Sequence, residues 1–181
     1  MTTPPAPPPV PARTARQAEI VQAARALLTS GGWGCVTARA VADRLGIKAP
    51  SLYKHVTGLD DIRVALLTDA LVESGTRLHE AVAQDRTVAS VASAYRDLAR
   101  REPQLYRLAT VEPLARDALP AGLEEWAGSP FWLVTPGGDP ARAQALWAWC
   151  HGMAILEIED RFPPGSPLDQ TWAVGAAAFA S

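Results

Sequence analysis

Residues 37–56 have the sequence TARAVADRLGIKAPSLYKHV, and this stretch decides the fold. Thr37 offers a side-chain oxygen as the N-cap of a short helix that is predicted to run to about Leu45. Gly46 ends that helix, because glycine adopts the left-handed backbone conformation that a tight turn requires. A second short helix is predicted over residues 49–55.

The two short helices are predicted to meet at a steep angle around an apolar wedge of four side chains: Val41, Leu45, Ile47 and Leu52. This is the plan of a helix-turn-helix, whose second helix enters the major groove of DNA. Exposed donors on that helix suit phosphates and base edges. The candidate DNA contacts are Thr37, Arg39, Lys48, Ala49, Pro50, Ser51, Tyr53, Lys54 and His55. The alternative is a helical hairpin whose polar face is only solvated, or one that binds protein.

The net charge of −2 is distributed unevenly along the chain. Up to Gly58 there are seven basic and two acidic residues, whereas the remainder has ten arginines and seventeen acidic residues. Lys48 and Lys54 are the two lysines of the protein, and both lie in the predicted helix-turn-helix. A basic N-terminal third indicates a polyanion that docks at one end, although a short segment can also acquire such an imbalance by chance.

Composition excludes several classes of protein. Apolar residues make up 48% of the chain and charged residues 20%, enough to bury a core. No apolar run approaches the roughly 18 residues of a membrane span, and residues 1–11 lack the features of a secretory signal. Cys35 and Cys150 lie far apart in the sequence and outside any metal-ligand spacing; a disulfide is one alternative, and we expect two buried free thiols in a cytoplasmic protein.

Helical periodicity dominates the whole chain, and no strand-like alternation is found, so the fold is predicted to be all-α. After residues 14–30 and the helix-turn-helix, helical patterns are predicted over residues 60–82, 87–101, 103–110, 113–127, 139–160 and 167–180. The stretch 128–140 is predicted to be a break. The predicted domains are a disordered proline-rich tail over 1–13, a helix-turn-helix domain over 14–58, and a helical regulatory and dimerisation domain over 59–181.

Residues 14–75 resemble the DNA-binding domain of the TetR (tetracycline-repressor) family. The resemblance rests on the leading helix, the cap, the turn and the run into a long helix: Thr37, Val41-Ala42, Leu45-Gly46-Ile47 and Leu52-Tyr53-Lys54-His55-Val56. It implies a three-helix DNA-binding head, a linking fourth helix and a C-terminal helical domain for ligand binding and dimerisation. It also implies a homodimeric repressor that binds a palindromic operator in double-stranded DNA and releases it when a small-molecule effector binds.

The chain departs from the family pattern at one position and resembles a family subgroup at another. Many members place a phosphate-binding lysine directly after the position of Gly58, where this chain has Leu59. The departure gives more weight to Thr37, Tyr53 and His55 as phosphate anchors. In the C-terminal half, two runs resemble the subgroup named for a Trp-His-Gly motif: Pro103-Gln104-Leu105-Tyr106 and Trp149-Cys150-His151-Gly152.

The C-terminal half is rich in large aromatic side chains, with five of the six tryptophans beyond residue 125. Such side chains line cavities for flat hydrophobic effectors, but they also form cores and dimer interfaces. The candidate effector-binding residues are Tyr95, Tyr106, Trp126, Trp132, Trp149, His151 and Met153. Residues 143–158 are apolar nearly all round, so a homodimer interface is predicted through roughly 139–160 and 167–180.

Catalytic chemistry has little support in the sequence. No nucleophile–base pair, metal cluster or phosphate-cradling glycine loop emerges, so no catalytic residue, metal or cofactor is predicted. Glu157, Glu159 and Asp160 lie at a predicted helix C-terminus, where negative charge is unfavourable, so they are expected to pair with Arg161 or Arg142, or to face a cationic effector. Two alternatives remain: a helical small-molecule-binding protein with a vestigial helix-turn-helix, and a small helical enzyme, which would need a convergent acid–base pair.

Overall fold

The computed structural model describes residues 3–111 and 116–180. These residues form helices and turns without any strand, which confirms the predicted all-α class. The helices are α1 (Ala15–Gly31), α2 (Ala38–Arg44), α3 (Ala49–Leu52), α4 (Leu59–Gln84), α5 (Val88–Arg101), α6 (Pro103–Thr110), α7 (Leu123–Val134), α8 (Pro140–Ile158) and α9 (Leu168–Ala180). Short 3-10 turns cover Trp33–Cys35, Arg116–Ala118 and Pro136–Gly138.

The helices pack into two compact units that are not simply consecutive in the chain. The N-terminal unit contains residues 8–71, 102–111 and 116–123, so the first half of α4 and all of α6 pack with the helix-turn-helix. The C-terminal unit contains residues 3–7, 72–101 and 124–180. The limits predicted for the tail and the two domains, 1–13, 14–58 and 59–181, stay a prediction.

The N-terminal unit is built around one apolar cluster. Ile20, Ala24 and Leu28 project from one face of α1, and all three are at most 1% exposed. They share the cluster with Val41 of α2 and Leu52 of α3, which are equally buried. This amphipathic packing fixes the short helices α2 and α3, which are too short to be stable alone.

The cap of α2 and the turn after it agree with the sequence prediction. The Thr37 side chain accepts a hydrogen bond from the Ala40 backbone N–H at 3.1 Å and so caps α2. Gly46 has φ of +66°, the left-handed conformation expected of the turn. The second helix differs from the prediction, because the α-helix ends at Leu52 and residues 53–55 form a turn closed by a hydrogen bond from the His55 N–H to the Leu52 carbonyl.

The predicted helix over 113–127 is confirmed only from Leu123 onward, and the predicted break over 128–140 only over residues 135–139. Residues 112–115 lie outside the described residues, and α7 runs from Leu123 to Val134, so it occupies the first half of the predicted break. Pro130 lies inside this helix and has no N–H to give to the carbonyl of Trp126 one turn earlier. The Ser129 hydroxyl and His79 Nε2 each bond that carbonyl at 3.0 Å instead. Ser129 and His79 therefore supply the hydrogen bonds that Pro130 cannot.

An ion-pair network joins three helices of the C-terminal unit. Arg96 of α5 contacts Glu157 of α8 at 2.8 Å and Asp169 of α9 at 2.6 Å. The side chains of Arg96 and Glu157 are only 14% and 10% exposed. Trp172 Nε1 also donates to Glu157 at 2.8 Å. Glu157 thus pairs with Arg96 and not with Arg161 or Arg142, so the predicted pairing is wrong for this residue.

The two thiols differ in their surroundings. Both Cys35 and Cys150 are free, as expected, but Cys35 is exposed and the prediction of its burial is wrong. Cys35 lies in the 3-10 turn after α1, where its thiol donates to the Gly31 carbonyl at 3.2 Å. Burial raises the pKa of the Cys150 thiol to about 12, which keeps that thiol protonated. Among the described residues, no helix is long and apolar enough to cross a membrane.

Candidate nucleic-acid interface

The helix-turn-helix divides its side chains cleanly between core and solvent. Val41, Ala42 and Leu52 are at most 1% exposed, while Leu45 and Ile47 pack against the same cluster at its edge. The predicted apolar wedge is therefore present. It holds α2 against α3 and leaves the opposite side of each helix uncovered.

The nine predicted DNA contacts all lie at the surface of the N-terminal unit. Seven of them are exposed: Thr37, Arg39, Lys48, Pro50, Tyr53, Lys54 and His55. Ala49 and Ser51 are half-buried beside them. Tyr53 is an unusual surface residue, because 54% of this large aromatic side chain is exposed. The structure brings these residues together on the α3 turn and at the start of α2.

Most of these polar side chains have no protein partner. Within residues 3–111 and 116–180, no hydrogen bond or ion pair engages the side chains of Lys48, Tyr53 or Lys54. Arg39 lies 3.8 Å from Asp43, and both are more than two-thirds exposed, so water and salt screen this pair and it adds little stability. The charges of this surface are consequently available to a polyanion.

Two residues that the sequence reasoning missed hold this interface in place. Gln17 of α1 donates from Nε2 to the His55 carbonyl at 3.0 Å. Arg13 donates to the Ala65 carbonyl of α4 and to the Asp69 carboxylate, both at 2.8 Å. The spacing of Thr14 and Gln17 is a capping-box signature that could have been recognised, but a sequence does not show which carbonyl a glutamine reaches.

The predicted effector-binding residues fall into separate groups. Tyr106 belongs to the N-terminal unit, whereas the other six belong to the C-terminal unit. Within that unit Trp149 packs against Trp172 and Phe179, with ring centroids 5.2 and 5.7 Å apart. Trp132 is 49% exposed and donates to the Gly138 carbonyl at 2.6 Å.

The remaining residues of this set occupy three other environments. Tyr95 is buried edge-on against Phe131, with ring centroids 5.5 Å apart. His151 stacks on Trp147, and burial lowers the pKa of its imidazole. The rings of Trp126 and His79 are in contact, with centroids 5.0 Å apart, and Met153 is buried. These contacts explain how the aromatic side chains are packed.

A surface groove lies between α4 and α5 in the C-terminal unit. It encloses about 170 Å³ and is lined by Arg77, Glu80, Ala81, Gln84, Ala94, Asp97, Leu98 and Arg101. None of the predicted aromatic residues lines it. In the described part of the chain, no group of three or more histidine, cysteine or acidic side chains is arranged to hold a metal ion.

An exposed basic surface on a helix-turn-helix is the arrangement expected of a DNA-binding regulator. Residues 20–63 match the model of the family described as bacterial regulatory proteins, tetR family. Residues 88–179 match a second model, described as tetracyclin repressor-like, C-terminal domain. The chain belongs to the TetR family of transcriptional regulators, with an N-terminal helix-turn-helix DNA-binding domain and a C-terminal helical domain.

Known proteins of similar sequence and structure agree with this assignment. An uncharacterised helix-turn-helix-type transcriptional regulator of Mycobacterium tuberculosis, Rv0681, is 34% identical over 158 residues, which is 82% of this chain and 72% of the relative. A protein of unknown function from Rhodococcus sp. RHA1 has the same fold, with a TM-score of 0.79 at 18% identity, over 93% of this chain and 95% of that one. The multidrug binding protein EbrR, solved with imidazole, has a TM-score of 0.66 at 24% identity, over 92% and 96%.

Proposed function

We propose that this regulator is a homodimeric repressor that binds a palindromic operator and releases it when a small hydrophobic effector binds the C-terminal domain. The observation that carries the proposal is the free polar surface of residues 48–55 above a buried wedge. Its proposed DNA contacts are the nine predicted residues, with Tyr53 and Lys54 at the centre. Two copies would read half-sites in successive major grooves. We place this activity in the cytoplasm, where the DNA is.

The proposed dimer rests on α8 and α9. Their outward faces expose large apolar side chains, including Trp147, Leu156 and Val174, which are 42–65% exposed. Small residues lie between them on α8, and a Cβ built on Gly152 would meet nothing within 4 Å. Apolar surface of this kind favours burial against a second copy, and two antiparallel helix pairs form a four-helix interface. We also assign the C-terminal domain to the Trp-His-Gly subgroup, because residues 149–152 resemble the motif that names it.

The proposed effector is a flat, largely apolar molecule. The C-terminal unit offers buried aromatic rings such as Tyr95 and Phe131 that suit a planar ligand. Our candidate ligand contacts are the six predicted residues that belong to the C-terminal unit. EbrR shares the fold, and its description as a multidrug binding protein suggests aromatic compounds as the first set to screen.

A mobility shift with DNA fragments flanking the gene of this protein tests operator binding. We expect one fragment to bind far more tightly than random DNA of equal length, and the affinity to fall steeply as salt rises, because cationic side chains displace counterions from phosphates. Affinity that does not change between low and physiological salt would contradict the electrostatic part of the proposal. Absence of any preferred fragment would contradict operator binding itself.

Sedimentation tests the dimer and separates it from DNA binding. The wild-type chain should sediment as a dimer, and the pair of substitutions Leu156→Glu and Val174→Glu should give a folded monomer with weakened operator binding. A wild-type monomer would contradict the proposed interface. Compounds that bind are identified by a rise in melting temperature, since a ligand of the native state stabilises it by mass action, and a true effector then releases the bound fragment.

A further inference from the structure

The side-chain amide of Gln17 accepts a hydrogen bond from one backbone group and donates one to another. Its Oε1 accepts from the backbone N–H of Thr14 at 2.9 Å, which completes a capping box at the start of α1. Its Nε2 donates to the backbone carbonyl of His55 at 3.0 Å. One amide group thus joins the first turn of α1 to the end of the turn at residues 53–55, which we call the recognition turn.

The two partners fix the chemistry that this position requires. The N–H of Thr14 can only donate, and the carbonyl of His55 can only accept. A primary amide carries both an acceptor oxygen and a donor nitrogen, so it fits both partners at once. A glutamate would keep the contact with Thr14 and lose the one with His55, and an arginine would do the reverse.

The exit of the recognition turn depends on such outside contacts. Since α3 ends at Leu52, residues 53–55 are not held by a continuing helix. On one side Gln17 holds the His55 carbonyl, and on the other the Asp61 carboxylate accepts from the Thr57 N–H at 2.6 Å. The exposed side chains of residues 53–55 lie in this turn, so its backbone sets their direction.

The segment that carries Gln17 is itself fixed to another helix of the same unit. Arg13 bonds the Ala65 carbonyl and the Asp69 carboxylate, which lie one turn apart on α4. Its side chain is only 25% exposed, so the contact is partly shielded from water. Arg13 directly precedes the N-cap residue Thr14, so these bonds attach the start of α1 to α4.

We infer that Gln17 is a positioning residue for DNA recognition, which orients the recognition turn through the His55 carbonyl without touching DNA. The inference rests on the proposed operator binding and adds a residue outside the nine predicted contacts. Loss of the Nε2 donor frees the turn and weakens contacts that require an exact orientation. Binding to random DNA, which depends on charge alone, is affected much less.

Two substitutions at this position separate positioning from helix capping. Gln17→Glu keeps the capping box and adds a charge that the N-terminus of α1 favours, so the melting temperature should be unchanged or higher. Gln17→Arg keeps a donor for His55 but loses the acceptor for Thr14. Gln22→Glu adds the same charge at an exposed α1 position and serves as the control. The measured quantity is the ratio of affinities for the preferred fragment and for random DNA.

We expect Gln17→Glu to reduce this ratio about fivefold, the size of one net hydrogen bond, while Gln17→Arg and Gln22→Glu keep it. An added negative charge repels both DNAs alike, so the ratio isolates orientation from charge. A wild-type ratio in Gln17→Glu would overturn the inference, as would an equal loss in Gln17→Arg, because the loss would then not depend on a donor to the His55 carbonyl. If the wild-type chain preferred no fragment, the proposed function itself would fail.

Discussion

The surface of residues 48–55 and the packing of α5 with α8 and α9 arrange their charged groups in opposite ways. Lys48 and Lys54 extend into solvent without an ion-pair partner among the described residues. Arg96 and Glu157 are nearly buried and satisfy each other at 2.8 Å. The first arrangement leaves charge free for an external partner, and the second uses charge to hold three helices together. Substitutions should therefore change DNA binding in one region and folding stability in the other.

Arg96→Ala should give the largest effect. It removes both ion pairs and leaves Glu157 buried without its main partner, which we expect to lower the free energy of unfolding by about 3 kcal/mol. Urea unfolding followed by circular dichroism measures this change. Arg100→Ala is the control, because Arg100 lies 3.6 Å from Glu157 and is 55% exposed, so its loss should cost under about 1 kcal/mol. Equal effects of the two substitutions would contradict the difference between the two regions.

Lys54→Ala should weaken DNA binding and leave folding stability unchanged. We expect operator affinity to fall about fivefold to tenfold. The slope of log affinity against log salt should fall by about the amount of one phosphate contact, and the free energy of unfolding should not change. Titration of labelled DNA at several salt concentrations measures both. Arg77→Ala removes the same charge from an exposed position in the C-terminal unit and should leave DNA binding unaltered. If Lys54→Ala unfolded the protein, the side chain would have a structural role instead.

Thr37→Ala tests a residue that should contribute both to folding stability and to DNA binding. The hydroxyl caps α2 through the Ala40 N–H, so its loss should cost about 1 kcal/mol of stability. Because Thr37 is also a proposed phosphate contact, operator affinity should fall as well. Thr37→Ser keeps the oxygen and should retain both properties in thermal melts and mobility shifts. Normal affinity in Thr37→Ala would remove this residue from the interface.

The smallest effect is expected in the pH dependence of stability. Burial by itself would raise the pKa of Glu157, but hydrogen bonds from Arg96 and Trp172 and the charges of Arg96 and Arg100 lower it below the ordinary value. A carboxyl whose pKa is lowered on folding stabilises the protein above its unfolded pKa of about 4.3 and loses that contribution as the pH falls. Glu157→Gln should therefore reduce the loss of stability in acid. An identical acid profile in urea titrations would contradict this assignment.

The helix-turn-helix could be predicted almost residue by residue because its signals are local. Thr37 caps α2 and Gly46 turns the chain, as their side chains and backbone freedom predict. The length of α3 was overestimated, since helical propensity does not report that the backbone turns tightly after Leu52. The nine proposed contacts are at the surface, as expected, but whether each one touches DNA stays a prediction.

The C-terminal half was predicted less well because its determinants are distant in sequence. The stretch 128–140 was predicted to be a break, yet α7 continues past Pro130 to Val134, because His79, 47 residues away from Trp126, donates to the carbonyl that lacks its N–H partner. Glu157 was expected to pair with an arginine near it in sequence or with Arg142, whereas its partner Arg96 is 61 residues away. Aromatic content indicated large apolar contacts but not how the rings divide into groups.

The sequence by itself determined the all-α class, the helix-turn-helix, its basic surface and the TetR resemblance, because capping, turning and charge depend on neighbouring residues. Only the tertiary structure decided which distant groups meet: Gln17 with His55, Arg13 with α4, Arg96 with Glu157, and His79 with the carbonyl that Pro130 leaves open. Such contacts follow from how whole helices pack, and side-chain hydrogen bonds form only where packing brings a donor within about 3 Å of an acceptor.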